Sequence, residues 1–219
     1  MTGVQTCALP ISGTDTGVGK TYVACKLIQQ YVALGYKVIG MKPVAAGCDL
    51  VDGEWINDDV LKLEAVSNVK APRALINPYS FKEAIAPHLA AEIAGVEMKL
   101  DVLMNAFNEL SKLADMVIVE GAGGFLVPIN QQETLADFVI AINIPVMLVV
   151  GVKLGCINHT LLTIEAIKAR NCRLHGWVAN PIDAEMQHYN ANVLTIVNKL
   201  QLSNTILSEN SQSKYKYTD

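Results

Sequence analysis

The chain has 219 residues, of which 51% are hydrophobic and 17% charged, and this length fits one α/β domain with a large buried core. Its formal charge of −4 without a basic block provides no electrostatic footprint for nucleic acid or an anionic membrane, and the longest apolar segment, 138–152, is too short and too interrupted to span a bilayer. Five scattered cysteines without a C-x-x-C pair indicate reduced thiols, and therefore a cytoplasmic location.

The two ends of the chain lack the pattern of a folded core. Residues 1–10 ("MTGVQTCALP") show no apolar alternation and resemble translated sequencing-adapter sequence. They also place Pro10 where a central first strand would run, although proline is rarely tolerated there. We therefore expect 1–10 to be a non-native or disordered start. Residues 210–219 are polar, and we expect them to be a frayed tail.

Apolar runs alternate with amphipathic segments along the rest of the chain. The pattern predicts strands at 36–44, 114–124, 144–152 and 174–180, and helices at 19–34, 98–113, 158–170 and 186–200. Such alternation is typical of parallel strands joined by right-handed helical crossovers. The sequence therefore predicts a single α/β domain over 1–219. We expect three layers, with a mainly parallel central sheet flanked by helices and ligands bound at the carboxyl ends of the strands.

A glycine-rich stretch, "GTDTGVGKT" at 13–21, precedes the first predicted helix. It resembles the phosphate-binding motif G-x-x-x-x-G-K-[ST], but Thr14 stands where the first glycine of that motif belongs. Glycines let the backbone turn its N–H groups towards an anion, while Lys20 would neutralise phosphate charge and the Thr21 hydroxyl would hold Mg²⁺. The alternative is a glycine-rich turn that binds nothing. The flanking strand and helix and two later acidic loops disfavour it.

Two acidic residues and a lysine follow predicted strands. Glu120 ends an uncharged apolar strand, where a buried carboxylate needs a cation, and Asp59 lies in a loop beyond strand 36–44. We expect both to complete a Mg²⁺ site with Thr21, although Asp59 also fits a helix N-cap or a first-turn acid. Lys42 ends its strand ahead of a proline, beside the phosphate loop. It is either a functional lysine or an ordinary solvated one.

The stretch "VKLGCINHT" at 152–160 offers a second place for an anion. A strand is predicted to end at Gly155 and a helix to begin near Asn158, which places the amides of Cys156, Ile157 and Asn158 at the positive end of a helix. The alternative is a plain strand-to-helix loop in which Asn158 is the N-cap. The residues alone leave both interpretations open.

Five stretches in this order carry a family resemblance: "GTDTGVGKT", "KPVAAG", "VEGAGG", "VVGVKLGCINH" and "GWVAN". From residue 12 to about residue 200 the chain resembles the dethiobiotin synthetases, whose phosphate loop has this longer spacing. The resemblance implies a P-loop NTPase-like fold and a homodimer whose subunits share each active site. It also implies a reaction that joins CO₂ to 7,8-diaminopelargonate, phosphorylates the carbamate with MgATP and closes the ureido ring. Mg²⁺ is then the cofactor and ATP a co-substrate.

The resemblance implies roles for individual residues. Lys20 and Lys42 are expected to be catalytic, and Thr21, Asp59 and Glu120 to hold Mg²⁺. The expected nucleotide-binding residues are Thr16, Gly17, Val18, Gly19, Lys20, Thr21, Asp59, Glu120, Gly121, Ala122, Gly123, Asn180 and Pro181. The expected substrate-binding residues are Thr14, Lys42, Ala46, Gly123, Gly124, Leu154, Gly155, Cys156, Ile157 and Asn158, the last five from across the dimer interface.

Nucleotide and substrate recognition depart from the family pattern in three places. A tyrosine that contacts the diamine in some relatives falls near Asn192, with Tyr189 only a neighbour. Ala46 stands where the family usually has a serine that contacts substrate. The family's later Gly-Glu-x-Pro segment, which frames the adenine, has no match in 202–219. Asn180 would recognise adenine through its amide, whereas without the resemblance Asn180 and Pro181 form only a strand-ending turn.

Two other functions remain open. One is another ATP-dependent amide- or carboxylate-activating ligase of the same superfamily, which would need a glutaminase partner. The other is a partition- or septum-site ATPase that acts on DNA or membrane. That class has a lysine early in its phosphate loop, where this chain has Asp15. Release of ADP that depends on diaminopelargonate distinguishes a dethiobiotin synthetase from both.

Overall fold

The structure is a computed structural model that describes residues 7–200 and 205–207. Strands and helices alternate along most of this length. In chain order they are β1 (Cys7–Gly13), α1 (Lys20–Ala33), β2 (Val38–Met41), β3 (Val44–Ala46), β4 (Asp49–Val51), β5 (Glu54–Ile56), α2 (Asp58–Val66), α3 (Arg73–Ile76), β6 (Tyr79–Phe81), α4 (Pro87–Ile93), α5 (Leu100–Leu113), β7 (Met116–Glu120), α6 (Leu135–Ile142), β8 (Val146–Val152), α7 (Cys156–Ala169), β9 (Leu174–Pro181), α8 (Tyr189–Leu200) and β10 (Thr205–Leu207).

Six of the strands form one parallel sheet in the order β10-β9-β8-β1-β7-β2. β3 and β6 form a separate parallel pair, and β4 and β5 form an antiparallel hairpin. Because all strands of the main sheet run in the same direction, the loops after β1, β2, β7, β8 and β9 leave it at one edge. The predicted mainly parallel central sheet is confirmed.

Alternate residues of the central strands pack against different helix layers. In β7, Met116 and Ile118 belong to a core with α1, whereas Val117 and Val119 belong to a core with α4, α5 and α6. In β8, Leu148 belongs to a core with α7 and α8. Helices therefore cover both faces of the sheet, and the predicted three-layer α/β fold is confirmed. Among the described helices, none is both long and apolar enough to cross a membrane.

Residues 7–10 belong to the sheet, contrary to the expectation that they lack structure. β1 pairs with β7 from Cys7 onwards, but its pairing with β8 begins only at Ile11. The carbonyl of Ile11 accepts from the amide of Gly121 on the β7 side, so by alternation the nitrogen of Pro10 points to the β8 side. Pairing with β8 has not begun at that level. The missing N–H of Pro10 therefore costs no ladder hydrogen bond, and proline is tolerated in a central strand.

Several boundaries differ from the sequence prediction. The strand predicted at 36–44 forms two strands, β2 and β3, because Pro43 has no N–H for a ladder bond. The sequence pattern predicts no element between 45 and 97, where β4, β5, α2, α3, β6 and α4 lie, nor at α6. Residues 1–6 and the expected tail at 210–219 lie outside the described residues. The extent of a single domain over 1–219 stays a prediction.

β2 is an edge strand of the main sheet, and polar groups cover its free side. The amide of Gly40 donates to Ser67 Oγ at 3.0 Å. The amide of Lys42, one residue beyond β2, donates to the carbonyl oxygen of Ile76 at 2.9 Å. These bonds replace the ladder that a further strand would supply, and they hold the end of β2 where Lys42 enters the site.

Candidate active site

An open cleft of about 800 Å³ lies at the carboxyl edge of the sheet, where the ligand site was expected. Its walls are the phosphate loop (residues 13–19), the end of β2 with β3, the start of α2, the loop after β7, and segment 84–87 before α4. The lining residues are Asp15, Thr16, Gly17, Gly19, Lys20, Thr21, Lys42, Val44, Ala46, Asn57, Asp59, Ala84, Ile85, Ala86, Pro87, Glu120, Ala122, Gly123, Gly124, Val127 and Pro128.

The phosphate loop joins β1 to α1 through two glycines with left-handed backbone, Gly17 (φ 71°) and Gly19 (φ 92°). These values favour glycine because a Cβ is strained there. α1 begins at Lys20, whose Nζ donates to the carbonyl oxygen of Asp15 at 2.9 Å. Burial, and next the nearby charge of Lys42, lower the pKa of Lys20 to about 8. Lys20 is thus folded against its own loop, and a bound phosphate would stabilise its charge.

Neighbouring strands hold the phosphate loop from the side of β8 and β9. The amide of Thr14 donates to a β8 carbonyl oxygen at 3.1 Å, and Nδ2 of Asn180 in β9 donates to the carbonyl oxygen of Val18 at 2.9 Å. A Cβ on Gly19 would lie 2.1 Å from that Nδ2. The structure therefore places Asn180 against the phosphate loop, and Pro181 follows it at the end of β9. Their part in binding adenine stays a prediction.

A buried ion pair in the cleft joins three elements. Glu120, the last residue of β7, is 1% exposed, and its Oε1 accepts from Lys42 Nζ at 2.8 Å and from Thr21 Oγ1 at 2.7 Å. Lys42 Nζ also donates to Asp59 Oδ2 at 2.9 Å. Because Lys42 is only 6% exposed, its interpretation as an ordinary solvated lysine is wrong.

The opposite charges of Lys42, Glu120 and Asp59 form a charge cluster in which each sign stabilises the other. Burial disfavours the ammonium of Lys42, but the carboxylates of Glu120 and Asp59 outweigh burial and raise its pKa. Burial also disfavours the charged form of Asp59, yet the Lys42 ammonium holds the pKa of Asp59 below its ordinary value. Asp59 lies in the first turn of α2, and its amide donates to the Asn57 side chain at 3.0 Å. Asn57, not Asp59, is therefore the N-cap.

Thr21, Asp59 and Glu120, the residues expected to hold Mg²⁺, lie together in the cleft around Lys42. Oε2 of Glu120 is buried and has no hydrogen-bond partner among the described residues, so its lone pairs are available to a cation. Two carboxylates and a hydroxyl fit Mg²⁺, which keeps several waters and takes phosphate oxygens besides a few protein ligands. Within the described part of the chain no group of three or more His, Cys, Asp or Glu could hold a metal ion. A site here would therefore depend on the hydroxyl and on phosphate oxygens.

The loop after β7 brings glycines close to the phosphate loop. Gly121 extends the pairing of β7 with β1, and residues 122–124 line the cleft. Gly123 has a φ of 59°, and a Cβ there would lie 2.8 Å from Val127 Cγ2 and 3.6 Å from Thr16 Oγ1. A larger residue at this position would close the gap between the two loops.

The second predicted anion site, at 154–158, differs from the expectation. α7 begins at Cys156 after an N-cap glycine with a φ of 92°, so Asn158 lies within the first turn and is not the N-cap. The amide of Cys156 donates to the carbonyl oxygen of Lys153 at 3.0 Å, which removes one of the three amides assigned to an anion. Leu154 is 92% exposed, and none of these five residues lines the cleft. Their role in binding substrate stays a prediction.

Three parts of the site were not found from the sequence. Segment 84–87 is apolar and ends in a proline at the start of α4, which signals a helix but not a ligand. Asn57 precedes two acidic residues as N-caps often do, and this signal could have found it. Lys153 pairs with Asp15 of the phosphate loop at 3.1 Å, although 138 positions separate them, and no local pattern reveals such a pair.

Known proteins resemble this chain over most of its length. A family model described as an AAA domain matches residues 8–211. The ATP-dependent dethiobiotin synthetase BioD of Nitrosospira multiformis is 53% identical over 190 residues, which cover 87% of this chain and 82% of that protein. The chain belongs to the ATP-dependent dethiobiotin synthetase family. The relatives of that name in Aromatoleum aromaticum and Xylella fastidiosa are 46% and 44% identical, over 84% and 89% of this chain and 81% and 86% of theirs.

Solved structures share the fold of this dethiobiotin synthetase family member at much lower identity. The MinC:MinD cell division protein complex of Aquifex aeolicus matches with a TM-score of 0.56 and 18% identity, over 93% of this chain and 82% of that chain. A ParA family ATPase of Chlorobium tepidum matches with a TM-score of 0.54 and 11% identity, over 93% of this chain and 85% of that chain. At such identities the likeness shows the fold alone.

The contact between Gly19 and Asn180 yields a testable prediction. We expect Gly19→Ala to weaken the binding of an ATP analogue by about tenfold or more. The new Cβ would displace the Asn180 amide from the phosphate loop and strain a left-handed backbone. Isothermal titration calorimetry measures the change.

Gly17→Ala is the matched control. Its φ of 71° imposes similar backbone strain, but a Cβ there would meet no atom within 4 Å. Equal losses of affinity in the two variants would show that strain alone, and not Asn180, accounts for the effect.

Proposed function

We propose that this chain is an ATP-dependent dethiobiotin synthetase of biotin biosynthesis. It joins CO₂ to one amino group of 7,8-diaminopelargonate and phosphorylates the resulting carbamate with MgATP. It then closes the ureido ring as the second amine expels phosphate. The products are dethiobiotin, ADP and phosphate. The family relation over 87% of the chain supports this activity, and five free cysteines support a cytoplasmic location.

The observation that carries the proposal is the position of Lys42, held by two carboxylates in the cleft that Lys20 and the phosphate loop also line. An ammonium there would face both the γ-phosphate of a nucleotide and a carbamate bound in the same cleft. Lys42 would bridge the two reactants and neutralise the charge that develops during phosphoryl transfer. The carbamate is already an anion, so the transfer needs no general base.

The phosphate loop would hold the triphosphate. Lys20 would exchange the neutral carbonyl of Asp15 for a charged phosphate oxygen, which forms a stronger hydrogen bond. Asn180, beside the loop, would recognise adenine. Ala46 and residues 123–124 line the cleft and would contact the diamine, with one hydrogen bond fewer than a serine at position 46 would provide.

Thr21, Asp59 and Glu120 would hold Mg²⁺, which neutralises phosphate charge when bound. Lys42 already bonds to an oxygen of each carboxylate. A metal held by the other oxygens would face the Lys42 ammonium across the same two side chains, and release of at least one carboxylate by Lys42 would relieve this repulsion. This release would free the ammonium for carbamate and γ-phosphate. Lys42 and a divalent cation thus compete for the same two side chains.

We also propose a homodimer with active sites shared between subunits. Residues 154–158 lie outside the cleft of their own chain, and Leu154 is 92% exposed. The remaining first-turn amides of α7, at Ile157 and Asn158, lie at the positive end of a helix. In the dimer they would receive the carboxylate of a diamine whose amino groups lie at the phosphate loop of the partner.

Turnover with the diamine tests the proposed function. We expect ADP release to depend on both 7,8-diaminopelargonate and bicarbonate. Lys20→Ala should lose ATP binding by about 3 kcal/mol because a desolvated phosphate is left without its cation. Lys42→Ala should lower kcat by about a hundredfold and change ATP affinity by less than about threefold, since its contact forms during transfer.

ADP release that ignores the diamine, or that DNA or lipid stimulates, would contradict the proposal and favour a switch ATPase. A Lys42→Ala variant with normal kcat and raised KM would make Lys42 a binding residue only.

The competition at the metal site gives a separate prediction. Without nucleotide, Lys42→Ala should bind Mn²⁺ about tenfold more tightly than the natural chain, because Glu120 and Asp59 lose their resident cation. Titration followed by electron paramagnetic resonance measures free Mn²⁺. Lys42→Arg keeps the charge and should bind Mn²⁺ as weakly as the natural chain. Equal affinity in all three proteins would disprove the competition.

Subunit mixing tests the shared site. A Lys20→Ala chain and a Gly155→Trp chain should each be inactive alone. After exchange at equal amounts they should regain about a quarter of normal activity, because half of the dimers are mixed and each mixed dimer has one intact site. Exchange is followed with a mass-tagged subunit. No recovery despite complete exchange would place the whole site in one chain.

A further inference from the structure

Asn77 contacts the backbone of Lys42 from a fully buried position. It follows α3 as its C-cap and is 5% exposed. Its Nδ2 donates to the carbonyl oxygen of Lys42 at 2.7 Å and to that of Tyr79 at 3.0 Å, and its Oδ1 accepts from Ser80 Oγ at 2.6 Å. Asn77, Tyr79 and Ser80 are not among the residues that line the cleft.

These three bonds define the orientation of the Asn77 amide. Its two N–H groups face two carbonyl oxygens, which cannot donate, and its oxygen faces the hydroxyl of Ser80. A flipped amide would turn its oxygen towards both carbonyls, so that two hydrogen bonds would be replaced by contacts between acceptors. Ser80 therefore helps to aim the donor of Asn77 at Lys42.

Lys42 needs such support because the sheet does not hold it. The last pair of β2 with β7 is Met41 with Val119, and none of the described strands lies on the other side of β2. The next residue, Pro43, cannot donate a hydrogen bond. The Lys42 peptide is bonded instead to Ile76 on its N–H side and to Asn77 on its carbonyl side.

We propose that Asn77 is a positioning residue for Lys42. It holds the backbone of Lys42 still while the side chain exchanges its carboxylate partners for the reacting phosphate and carbamate. The inference rests on the role proposed above for Lys42. If the backbone of Lys42 shifted, its ammonium would move away from the phosphoryl group that is being transferred. Misplacement by about 1 Å costs about a hundredfold in rate.

Such a role predicts a specific kinetic effect. ATP is held by the phosphate loop, which Asn77 does not touch, so loss of the Asn77 donor should lower kcat and leave ATP affinity nearly unchanged. A residue that serves the fold alone would lower thermal stability and leave kcat per folded molecule as it was.

Asn77→Asp is the first test because it keeps the shape and the acceptor but removes the donor to Lys42. We expect kcat to fall about tenfold or more and KM for ATP to change less than about threefold. Ser67→Ala is the matched control, since it removes another bond on the free edge of β2, to Gly40, without contacting Lys42. It should lower the Tm and leave kcat within about twofold.

Ser80 provides a second, milder pair of variants. Ser80→Ala removes the hydroxyl that orients the Asn77 amide and should lower kcat about threefold, whereas Ser80→Thr keeps the hydroxyl and should restore it. This pair keeps the inference testable if Asn77→Asp does not fold, as judged by circular dichroism.

Lys42→Ala in the same assay distinguishes a failure of the role proposed for Lys42 from a failure of the role proposed for Asn77. If Lys42→Ala stays active, the proposed role of Lys42 is wrong. If Lys42→Ala is inactive while folded Asn77→Asp has normal kcat, or loses no more than Ser67→Ala, the positioning role of Asn77 alone is overturned. If Asn77→Asp does not fold, equal kcat values in Ser80→Ala and Ser80→Thr overturn it.

Discussion

The buried charge of Glu120 is the constraint on which the rest of the site depends. A carboxylate that is 1% exposed at the end of an apolar strand is costly unless a cation and hydrogen bonds compensate for its lost hydration. Lys42 supplies the cation and Thr21 supplies a hydrogen bond, both to the same oxygen. Compensating one buried group therefore brings the ends of β7 and β2 and the start of α1 to one point.

The order of the strands in the main sheet gives the cleft two different sides. β1 lies in the middle, so its phosphate loop has the charge cluster of Glu120 on the β7 side, and Lys153 and Asn180 on the side of β8 and β9. MinD and a ParA family ATPase share this fold at 18% and 11% identity. The architecture thus provides the edge at which loops meet, whereas the residues that follow each strand determine the chemistry.

Both lysines of the cleft are held by partners within the chain. Lys20 donates to the Asp15 carbonyl, and Lys42 donates to two carboxylates. A buried ion pair adds little net stability, because desolvation offsets most of its attraction. Its effect here is preorganisation, since the cations already line the cleft before anionic substrates arrive. Asn77 holds the backbone in a similar way, because its neutral side chain donates to the carbonyl oxygen of Lys42.

The sequence by itself determined the local parts of this protein: the glycines that precede Lys20, the apolar run that ends at Glu120, and the alternation that makes a parallel sheet. Only the tertiary structure decided that Lys42 meets Glu120 across 78 positions, and that Asn77 holds the Lys42 backbone. It also decided that Pro10 is tolerated, because pairing with β8 begins one residue later. The physical reason is that ladder hydrogen bonds are made by backbone groups common to all residues, so a local pattern identifies a strand but not its neighbour or its register. Strand neighbours and register are selected by the packing of the whole core, and they determine which side chains share the cleft.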